Sequence, residues 1–198
     1  MLQVRAVRAL GLAAQLRGSA FDTAEIILSV TGLSEPVTGG NGKDTLTGGQ
    51  FGDLIQGFNG VDTLLGLNGD DTLNGGNGGD VLVGGLGRDW LVGGNGPDQF
   101  AFNAIEETAV GPLRDLIADF SNEDTIVLSA IDANTGVNGN QAFSFIGTQA
   151  FSGTAGQLRT YSELGNTIVA GDTNGDGLAD FEIGLIGLQL LAANYFAL

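Results

Sequence analysis

Apolar side chains recur at every ninth position through the middle of the chain, and glycine or polar residues separate them. These apolar positions are Leu46, Ile55, Leu64, Leu73, Leu82, Leu91 and Phe100. Because successive strand residues point to opposite faces, a short strand centred on each position turns that side chain inward and its two neighbours outward. The spacing predicts a series of very short strands, each buried on one face and joined to the next by a glycine-rich turn.

The same segment divides into seven nonapeptides that run without a gap from Gly39 to Ala101. They read GGNGKDTLT, GGQFGDLIQ, GFNGVDTLL, GLNGDDTLN, GGNGGDVLV, GGLGRDWLV and GGNGPDQFA. Position one is Gly and position six is Asp in all seven. Because glycine adopts backbone conformations that a Cβ forbids, each turn can send the chain across to an opposite sheet. We predict an all-β fold containing a right-handed parallel β-roll, in which two repeats make one coil and each repeat stacks on the next but one.

Short strands are also predicted on both sides of the repeats, which favours an all-β arrangement throughout. After the repeats the candidates are residues 116–120, 125–129, 142–147, 157–163, 167–172 and 179–187. Before them, residues 1–38 form a lead that we expect to begin as a helix and to contain a strand at residues 25–30. A cleaved signal peptide is the alternative for its first residues. We therefore divide the chain into a lead (1–38), a β-roll (39–101) and a C-terminal β domain (102–198).

Stacking would bring the Asp of one repeat beside the Asp of the next but one, for example Asp44 beside Asp62. Two bare carboxylates at the strand spacing of ~4.8 Å repel by ~3.5 kcal/mol at an effective dielectric constant of about 20. Over several such pairs, the repulsion approaches the whole stability of a domain, ~5–15 kcal/mol. A divalent cation between the turns would replace repulsion by coordination. Calcium suits this best, because it accepts about 6–8 oxygen ligands in loose geometry. We predict about five or more calcium ions.

The repeat pattern G-G-x-G-x-D-x-U-x, in which U is apolar, resembles that of RTX proteins. Further along, RDLIADFSNEDTIVLSAIDAN, AFSFIG, FSGTAGQLR and GDTNGDGLADFEIGLIG are similar to the C-terminal domain of serralysin-type metalloproteases. The resemblance covers about residues 39–198, and the zinc protease domain of that family is missing from this sequence. It implies a β-roll that merges into a β-sandwich, several bound calcium ions, and secretion from a Gram-negative cell by a type I exporter that reads a signal beside this domain.

The resemblance also implies that Asp carboxylates and backbone carbonyls of the turns hold the metal. The candidate ligands are Gly39, Asn41, Asp44, Gly48, Gly49, Asp53, Gly57, Asn59, Asp62, Gly66, Asn68, Asp71, Gly75, Asn77, Asp80, Gly84, Gly85, Asp89, Gly93, Asn95 and Asp98. Some repeats depart from the pattern. Phe51 replaces the fourth-position Gly of the second repeat, and Phe58 and Leu67 replace the second-position Gly of the third and fourth. We expect those turns to bind calcium more weakly.

A loop near the C-terminus is a further candidate metal site. Its residues Asp172, Asn174, Asp176 and Asp180 follow the D-x-N-x-D-G-x-x-D spacing of the first half of an EF-hand-like loop. Ile183 stands where that loop would have its Glu, and the same residues could form an ordinary Asx-Gly hairpin turn.

Three more acids follow the repeats, at Asp115, Asp119 and Asp124. They are either ligands near the end of the roll or a solvated edge.

Composition narrows the classes of function. Acidic residues number 23 and basic ones 7, giving a formal net charge of −16, which opposes nucleic-acid binding. The chain has no His and no Cys, so an HExxH zinc site, a Ser-His-Asp triad and a thiolate metal site are all excluded. We expect no catalytic activity. No stretch approaches ~18 uninterrupted apolar residues, so we also expect no membrane span.

Two functions fit these features. The first is a non-catalytic secreted module that is exported unfolded and folds on extracellular calcium. The second is a polysaccharide-binding accessory module, similar to the repeat modules of alginate epimerases. The charge of −16 opposes a polyanion such as alginate, but five divalent ions add +10 and leave about −6, and bridging calcium would then permit binding. No aromatic platform for a sugar is visible in the sequence.

The late repeats place apolar residues at outward positions, namely Val81, Val83, Trp90 and Val92. Exposed together, they would form the kind of apolar patch that marks an interface. We expect this patch to dock the roll onto the C-terminal strands; a site for an external ligand is the alternative.

Overall fold

The computed structural model describes the backbone of residues 13–17 and 25–29, and both backbone and side chains of residues 36–198. Its first ten strands are β1 (Ala13–Arg17), β2 (Glu25–Ser29), β3 (Val37–Thr38), β4 (Thr45–Thr47), β5 (Leu54–Asn59), β6 (Thr63–Asn68), β7 (Thr72–Asn77), β8 (Val81–Leu86), β9 (Trp90–Asn95) and β10 (Gln99–Ala101). The remaining strands are β11 (Asp115–Ile117), β12 (Thr125–Val127), β13 (Ser144–Phe145), β14 (Gln157–Glu163), β15 (Asn166–Asp172), β16 (Phe181–Leu185) and β17 (Phe196–Ala197).

Helical structure in these described ranges is limited to three single 3-10 turns, Ile105–Glu107, Gly111–Leu113 and Ala193–Tyr195. The prediction of an all-β fold is confirmed. Among the described residues, no helix is long and apolar enough to cross a membrane.

The strands form two sheets. Sheet A has the order β1-β2-β4-β6-β8-β10-β12-β17, and sheet B has the order β13-β14-β15-β16-β11-β9-β7-β5-β3. From β3 to β10 the chain alternates between the sheets, and each strand pairs in parallel with the next but one, as β4 does with β6. Two repeats therefore make one coil, as predicted. Repeats 1, 3, 5 and 7 turn from sheet B to sheet A at one edge of the roll (the odd turns), and repeats 2, 4 and 6 turn back at the other (the even turns).

The eighth residue of every repeat lies in the core between the two sheets. These residues are Leu46, Ile55, Leu64, Leu73, Leu82, Leu91 and Phe100, and all are fully buried. Their neighbours along each strand are half-buried, as Thr63 and Leu65 are in β6, or exposed, as Leu54 and Trp90 are. The inward-outward alternation predicted from the nine-residue spacing is confirmed.

The C-terminal strands extend both sheets edge to edge. In sheet B, β11 pairs in parallel with β9 and with β16, and β15 and β14 follow in antiparallel pairing. In sheet A, β12 pairs with β10 and β17 pairs with β12. The core continues between the sheets as aromatic pairs, with ring centroids 6.2 Å apart for Phe100 and Phe120 and 5.6 Å apart for Phe143 and Phe181. The roll thus merges into the predicted sandwich.

The outward apolar residues do not form the single docking patch that was predicted, because Val81 and Val83 lie on β8 in sheet A whereas Trp90 and Val92 lie on β9 in sheet B. The roll joins the C-terminal domain through main-chain pairing, in which Trp90 lies opposite Leu116. The open edges of β9 and β10 present unpaired N–H and C=O groups that the next parallel strand satisfies, whereas outward side chains offer no such groups. Trp90 consequently stays 41% exposed on the outer face of sheet B.

The lead contains the predicted strand at residues 25–30, observed as β2 (Glu25–Ser29), which pairs in parallel with β4. The prediction of a helical start is wrong for Ala13–Arg17, which form β1 antiparallel to β2. Main-chain partners at the edge of sheet A outweigh a weak local helix propensity there. Residues 1–12 lie outside the described residues. The rest of the helical prediction and the signal-peptide alternative concern those residues and stay predictions.

Candidate calcium-binding turns

The Asp residues of the repeats are joined in two ladders, one along each edge of the roll. The backbone N–H of Asp44 donates to Oδ1 of Asp62 at 2.8 Å, and that of Asp62 donates to Oδ1 of Asp80 at 2.7 Å. The same bond joins the pairs Asp53–Asp71, Asp71–Asp89 and Asp80–Asp98. Each carboxylate is therefore held directly over the backbone of the Asp one coil earlier.

Both ladders continue past the last repeat. On the even edge, Asp89 N–H donates to Oδ1 of Asp115 at 2.8 Å, and on the odd edge Asp98 N–H donates to Oδ1 of Asp124 at 2.9 Å. Asp115 is fully buried and Asp124 is 5% exposed, so neither belongs to a solvated edge. Asp119 lies beside the odd edge, where its two oxygens accept the N–H groups of Gly93 and Gly94.

The second oxygen of the interior carboxylates is buried without a partner. Among the described residues, these Oδ2 atoms belong to Asp62, Asp80 and Asp98 on the odd edge and to Asp71, Asp89 and Asp115 on the even edge. A buried charged oxygen without a partner costs several kcal/mol. The ladder interior is therefore built around oxygens that need a cation or a proton.

Three of the four ladder ends are capped instead. Oδ2 of Asp44 and of Asp53 each accept a backbone N–H of their own turn at 2.6 Å. Oδ2 of Asp124 accepts the N–H of Ser121 at 2.7 Å. The uncompensated charge thus lies in the interior of both ladders and at Asp115, the uncapped end of the even ladder.

Burial raises the pKa values of these carboxyls far above the usual value near 4. The pKa rises to about 6 for Asp62, Asp89 and Asp98, to about 7 for Asp71 and to about 8 for Asp115. Loss of water is the largest cause in each case. The N–H bond from the preceding Asp lowers the pKa. Nearby carboxylates raise it again; for Asp89 these are Asp70 and Glu107, which lie outside the ladders. Asp80 is shifted in the same direction by the same desolvation.

Glycine at position one is required by the ladder itself. A Cβ on Gly57 would lie 2.5 Å both from Oδ2 of Asp62 and from the carbonyl oxygen of Gly75 in the next coil. No real Cβ tolerates such contacts, so a side chain here would displace the carboxylate. The sheet pairing of β5 with β7 also skips Gly57 and Gly75. A first-position carbonyl and a carboxylate oxygen therefore lie side by side in the first five turns.

Position four supplies further carbonyl oxygens that the sequence analysis did not include. A Cβ on Gly60 would meet the carbonyl oxygen of Gly42, and one on Gly96 would meet that of Gly78. The fourth-position carbonyls therefore point at the next coil. The signal was present in the sequence as the recurring fourth-position Gly, which has φ from 117° to 147° in the last five repeats.

The asparagines predicted as ligands use their side chains differently. On the odd edge, Nδ2 of Asn59 donates to Oδ1 of Asn41 at 2.9 Å, Asn77 donates to Asn59 at 2.6 Å, and Asn95 donates to Asn77 at 2.8 Å. This row is exposed, and its amides bond to one another. The side-chain oxygens of Asn41, Asn59 and Asn77 each accept one bond within this row, and calcium binding by the asparagines stays a prediction.

Two of the three departures from the repeat pattern keep the turn backbone; Phe51 lacks the positive φ of the later fourth-position glycines. Phe58 and Leu67 have φ values of 73° and 78°, in the left-handed region where Gly76, Gly85 and Gly94 stand in later repeats. The turn geometry therefore survives the substitutions, with a strained non-glycine residue in each. Weaker calcium binding by these turns stays a prediction.

The EF-hand-like loop bonds its acids to its own residues. Oδ1 and Oδ2 of Asp172 accept the N–H groups of Gly175 and Gly177, and Oδ2 of Asp180 accepts the N–H and hydroxyl of Thr173. The Asp176 carboxylate accepts the N–H of Leu178. This is the pattern of nested Asx turns, in contrast with the orphaned oxygens of the ladders.

The donor set of the turns fits calcium. All of its donors are carboxylate or carbonyl oxygens, and the sequence offers no imidazole or thiolate. No three acids among the described residues converge on one point. Each site would therefore combine two ladder carboxylates from stacked coils with glycine carbonyls, as a flexible shell of about 6–8 oxygens allows. A bound divalent cation supplies the positive charge that the buried Oδ2 atoms need.

Several solved structures are similar to this chain, whereas no curated protein matches it. The AlgE6R3 and AlgE6R2 subunits of the Azotobacter vinelandii mannuronan C5-epimerase are 27% and 26% identical to it. Each match covers 82% of this chain, with 82% and 91% of the other chain and TM-scores of 0.40 and 0.42. The extracellular lipase LipA of Serratia marcescens is 14% identical over 86% of this chain and 42% of its own, with a TM-score of 0.43.

The family model described as Peptidase M10 serralysin C terminal matches residues 31–197. The matched range includes all seven repeats, both carboxylate ladders and the C-terminal strands that complete the two sheets. The chain belongs to the serralysin C-terminal family of M10 peptidases.

Proposed function

We propose that this chain is a secreted module without catalytic activity, which leaves the cell unfolded and folds when its turns take up calcium outside. The family is the non-catalytic C-terminal part of serralysin, whose RTX-like β-roll generally binds calcium, and serralysin-related proteins are secreted by Gram-negative bacteria. The observation that carries the proposal is the set of six buried Oδ2 atoms without a partner.

The proposal follows from the balance of charge and packing along the roll. Each coil buries only two core side chains, worth ~1.5–3 kcal/mol apiece before entropy is counted. Each coil also stacks two carboxylates on the two below. At free calcium about ten times the dissociation constant, one site adds ~1.4 kcal/mol of stability. Five such sites add ~7 kcal/mol, which is comparable to the stability of a whole domain.

The C-terminal residues support export ahead of folding. Strand β17 pairs with β12, Leu128 N–H donates to the carbonyl of Ala197 at 2.8 Å, and the ring centroids of Phe145 and Phe196 lie 5.0 Å apart. A signal carried near this end would be sheltered in the folded sheet. The same residues are free in an unfolded chain, where a type I exporter could read them.

The test is a calcium titration of the full chain in chelator, followed by far-ultraviolet circular dichroism and size-exclusion chromatography, with magnesium as the control cation. We expect an expanded chain in EGTA, and a compact β spectrum that develops cooperatively with calcium and poorly with magnesium. A compact chain with a β spectrum that neither EGTA nor calcium alters would contradict the proposal.

A further inference from the structure

A groove of about 460 Å³ crosses the outer face of sheet B beside the odd turns. The side chains along it are Gln56, Phe58, Asn59, Asn74, Asn77 and Asn95, and we call it the amide groove. None of them is charged, on a chain whose net charge is −16. The groove is therefore chemically distinct from the acidic turns that lie next to it.

The shape of the groove follows from the repeat register. Phe58, Gly76 and Gly94 are consecutive partners across β5, β7 and β9. Beyond the Phe58 ring, which is 49% exposed, this row has no side chain. Glycine backbone thus forms the floor and Phe58 forms one end wall. Asn74 and Gln56 line one side of the groove, and the row of exposed asparagines lines the other.

The asparagine row presents a regular series of hydrogen-bonding groups. An amide has two N–H donors and an oxygen with two lone pairs. Within the row, Asn59 and Asn77 each use one donor and one acceptor on their neighbours. One N–H and one lone pair per residue therefore remain for a ligand, repeated at the strand spacing of ~4.8 Å along the roll axis.

The equivalent groove on sheet A has the opposite chemistry. It lies beside the even turns and is lined by Leu65, Leu67, Val83 and Leu86, with the segment 103–107 along one side. There the chain itself borders an apolar groove of about the same volume, 460 Å³. The amide groove offers donors and acceptors in place of those leucines, so its complement is a polar chain.

We propose that the amide groove binds a neutral polysaccharide. Side-chain amides pair with vicinal hydroxyls through their donor and acceptor together, and the exposed Phe58 ring can pack on the apolar face of one sugar. The groove contains no Lys or Arg, so it has no group to attract a polyanion. An added peptide strand finds no open edge there, because β5, β7 and β9 are paired on both sides. The inference goes beyond calcium-dependent folding and requires only that the roll be closed.

The experiment titrates the calcium-loaded full chain with cellohexaose, mannohexaose and laminarihexaose, and with hexamannuronate as the anionic probe. Binding is followed by isothermal titration calorimetry and by the NMR signals of the asparagine side-chain amides. We expect at least one neutral probe to bind and to shift the odd-edge amides, with hexamannuronate binding at least tenfold more weakly. Failure of all three neutral probes at millimolar concentration overturns the inference, and so does equal or tighter binding of hexamannuronate.

Matched variants localise the binding. Phe58→Gly and Asn77→Ala should each weaken the neutral probe at least tenfold, whereas Leu67→Gly and Asn68→Ala change the same repeat positions on the opposite edge and should leave affinity unchanged. Circular dichroism in calcium first establishes that each variant has a closed roll. Loss of binding by a closed Leu67→Gly or Asn68→Ala variant, or its retention in Phe58→Gly, contradicts the assignment without affecting the calcium proposal.

Discussion

Asp62 donates its backbone N–H to Oδ1 of Asp80 at 2.7 Å, while Oδ2 of Asp80 is buried with no partner. Oδ1 of Asp80 therefore joins one coil to the next through a hydrogen bond. Oδ2 of the same carboxylate destabilises the stacked coils, because its negative charge is buried without a partner. Either protonation or a bound divalent cation removes this destabilisation. The two can be told apart by how stability depends on pH and on calcium.

Asp80→Asn should separate the two roles of the ladder. The amide keeps an oxygen for the Asp62 N–H and removes the buried charge. We expect the calcium-free variant to be more stable than the wild type by about 1–3 kcal/mol. Calcium stoichiometry should fall by about one to two ions, because Asp80 belongs to two ladder steps. Equilibrium dialysis measures the stoichiometry, and the fraction of compact chain in EGTA, followed by circular dichroism, measures the change in stability.

The matched control is Asp176→Asn, in the exposed loop where the carboxylate accepts the N–H of Leu178. Asparagine can accept the same bond, and the carboxylate is already partnered. We therefore expect unchanged calcium stoichiometry. An equal loss of calcium from both variants would show that overall charge, rather than the ladder, holds the metal.

The metal-free chain should lose stability as pH rises. The ladder carboxyls of Asp62, Asp71, Asp89, Asp98 and Asp115 have folded pKa values of about 6 to 8. The folded state therefore holds protons that the unfolded chain has released. By linkage, the free energy of unfolding falls between about pH 4 and pH 8. After calcium has been removed with EGTA at pH 8 and the chelator dialysed away, circular dichroism should show a larger compact fraction at pH 5 than at pH 8.

Calcium should reverse this dependence, since the ligands must be deprotonated to bind it. With calcium present, the melting temperature should rise over the same interval. A compact fraction of the metal-free chain that is constant or increases from pH 5 to pH 8 would show that the ladder carboxyls do not carry buried charge.

Gly57→Ala should destabilise the third turn, because an added Cβ has no room there. Its Cβ would lie 2.5 Å from Oδ2 of Asp62 and from the Gly75 carbonyl, both of which belong to the proposed calcium shell. We expect a loss of about 2–3 kcal/mol from overpacking together with weaker calcium binding. Gly40→Ala is the control, because the nearest atom to its Cβ is 3.8 Å away. Similar calcium midpoints for both variants would argue against this shell.

Replacing the two strained turn residues by glycine should stabilise the roll. Phe58 and Leu67 hold φ values of 73° and 78°, which cost about 1–2 kcal/mol in a residue with a Cβ. Part of the stability gained by removing this strain is lost again, because glycine raises the conformational entropy of the unfolded chain. A net increase of about 1 kcal/mol is expected for each variant in calcium by denaturant unfolding. A decrease would mean that these side chains contribute packing that outweighs their strain.

The roll could be predicted from sequence because every repeat carries its own core residue and its own ladder residue. The nine-residue period places Leu64 over Leu82 and Asp62 over Asp80 without knowledge of distant contacts. The same logic fails where the period ends. Asp115 follows Asp89 by 26 residues, across an irregular connection that crosses from sheet A to sheet B. Its place in the even ladder depends on that crossing, which local pattern does not encode.

The hydrogen-bonding and packing partners of individual side chains also could not be predicted from the sequence. Asn77 stands at the same repeat position as Asn59, yet the pattern alone does not distinguish a metal ligand from a member of an amide row. Trp90 sits at an outward position in either arrangement, and only the pairing of β9 with β11 shows that the C-terminal domain joins at the strand edge. Both cases depend on competition among long-range contacts.

Hydrogen exchange at the ladder amides tests the central claim most directly. The Asp62 and Asp71 N–H groups are bonded to the carboxylates of Asp80 and Asp89 only when the coils are stacked. Exchange is measured by NMR or mass spectrometry at pH 7.5, in EGTA and in millimolar calcium. We predict unprotected amides in EGTA and strong protection in calcium. Equal protection in both conditions would show that the ladders close without metal and would contradict the account.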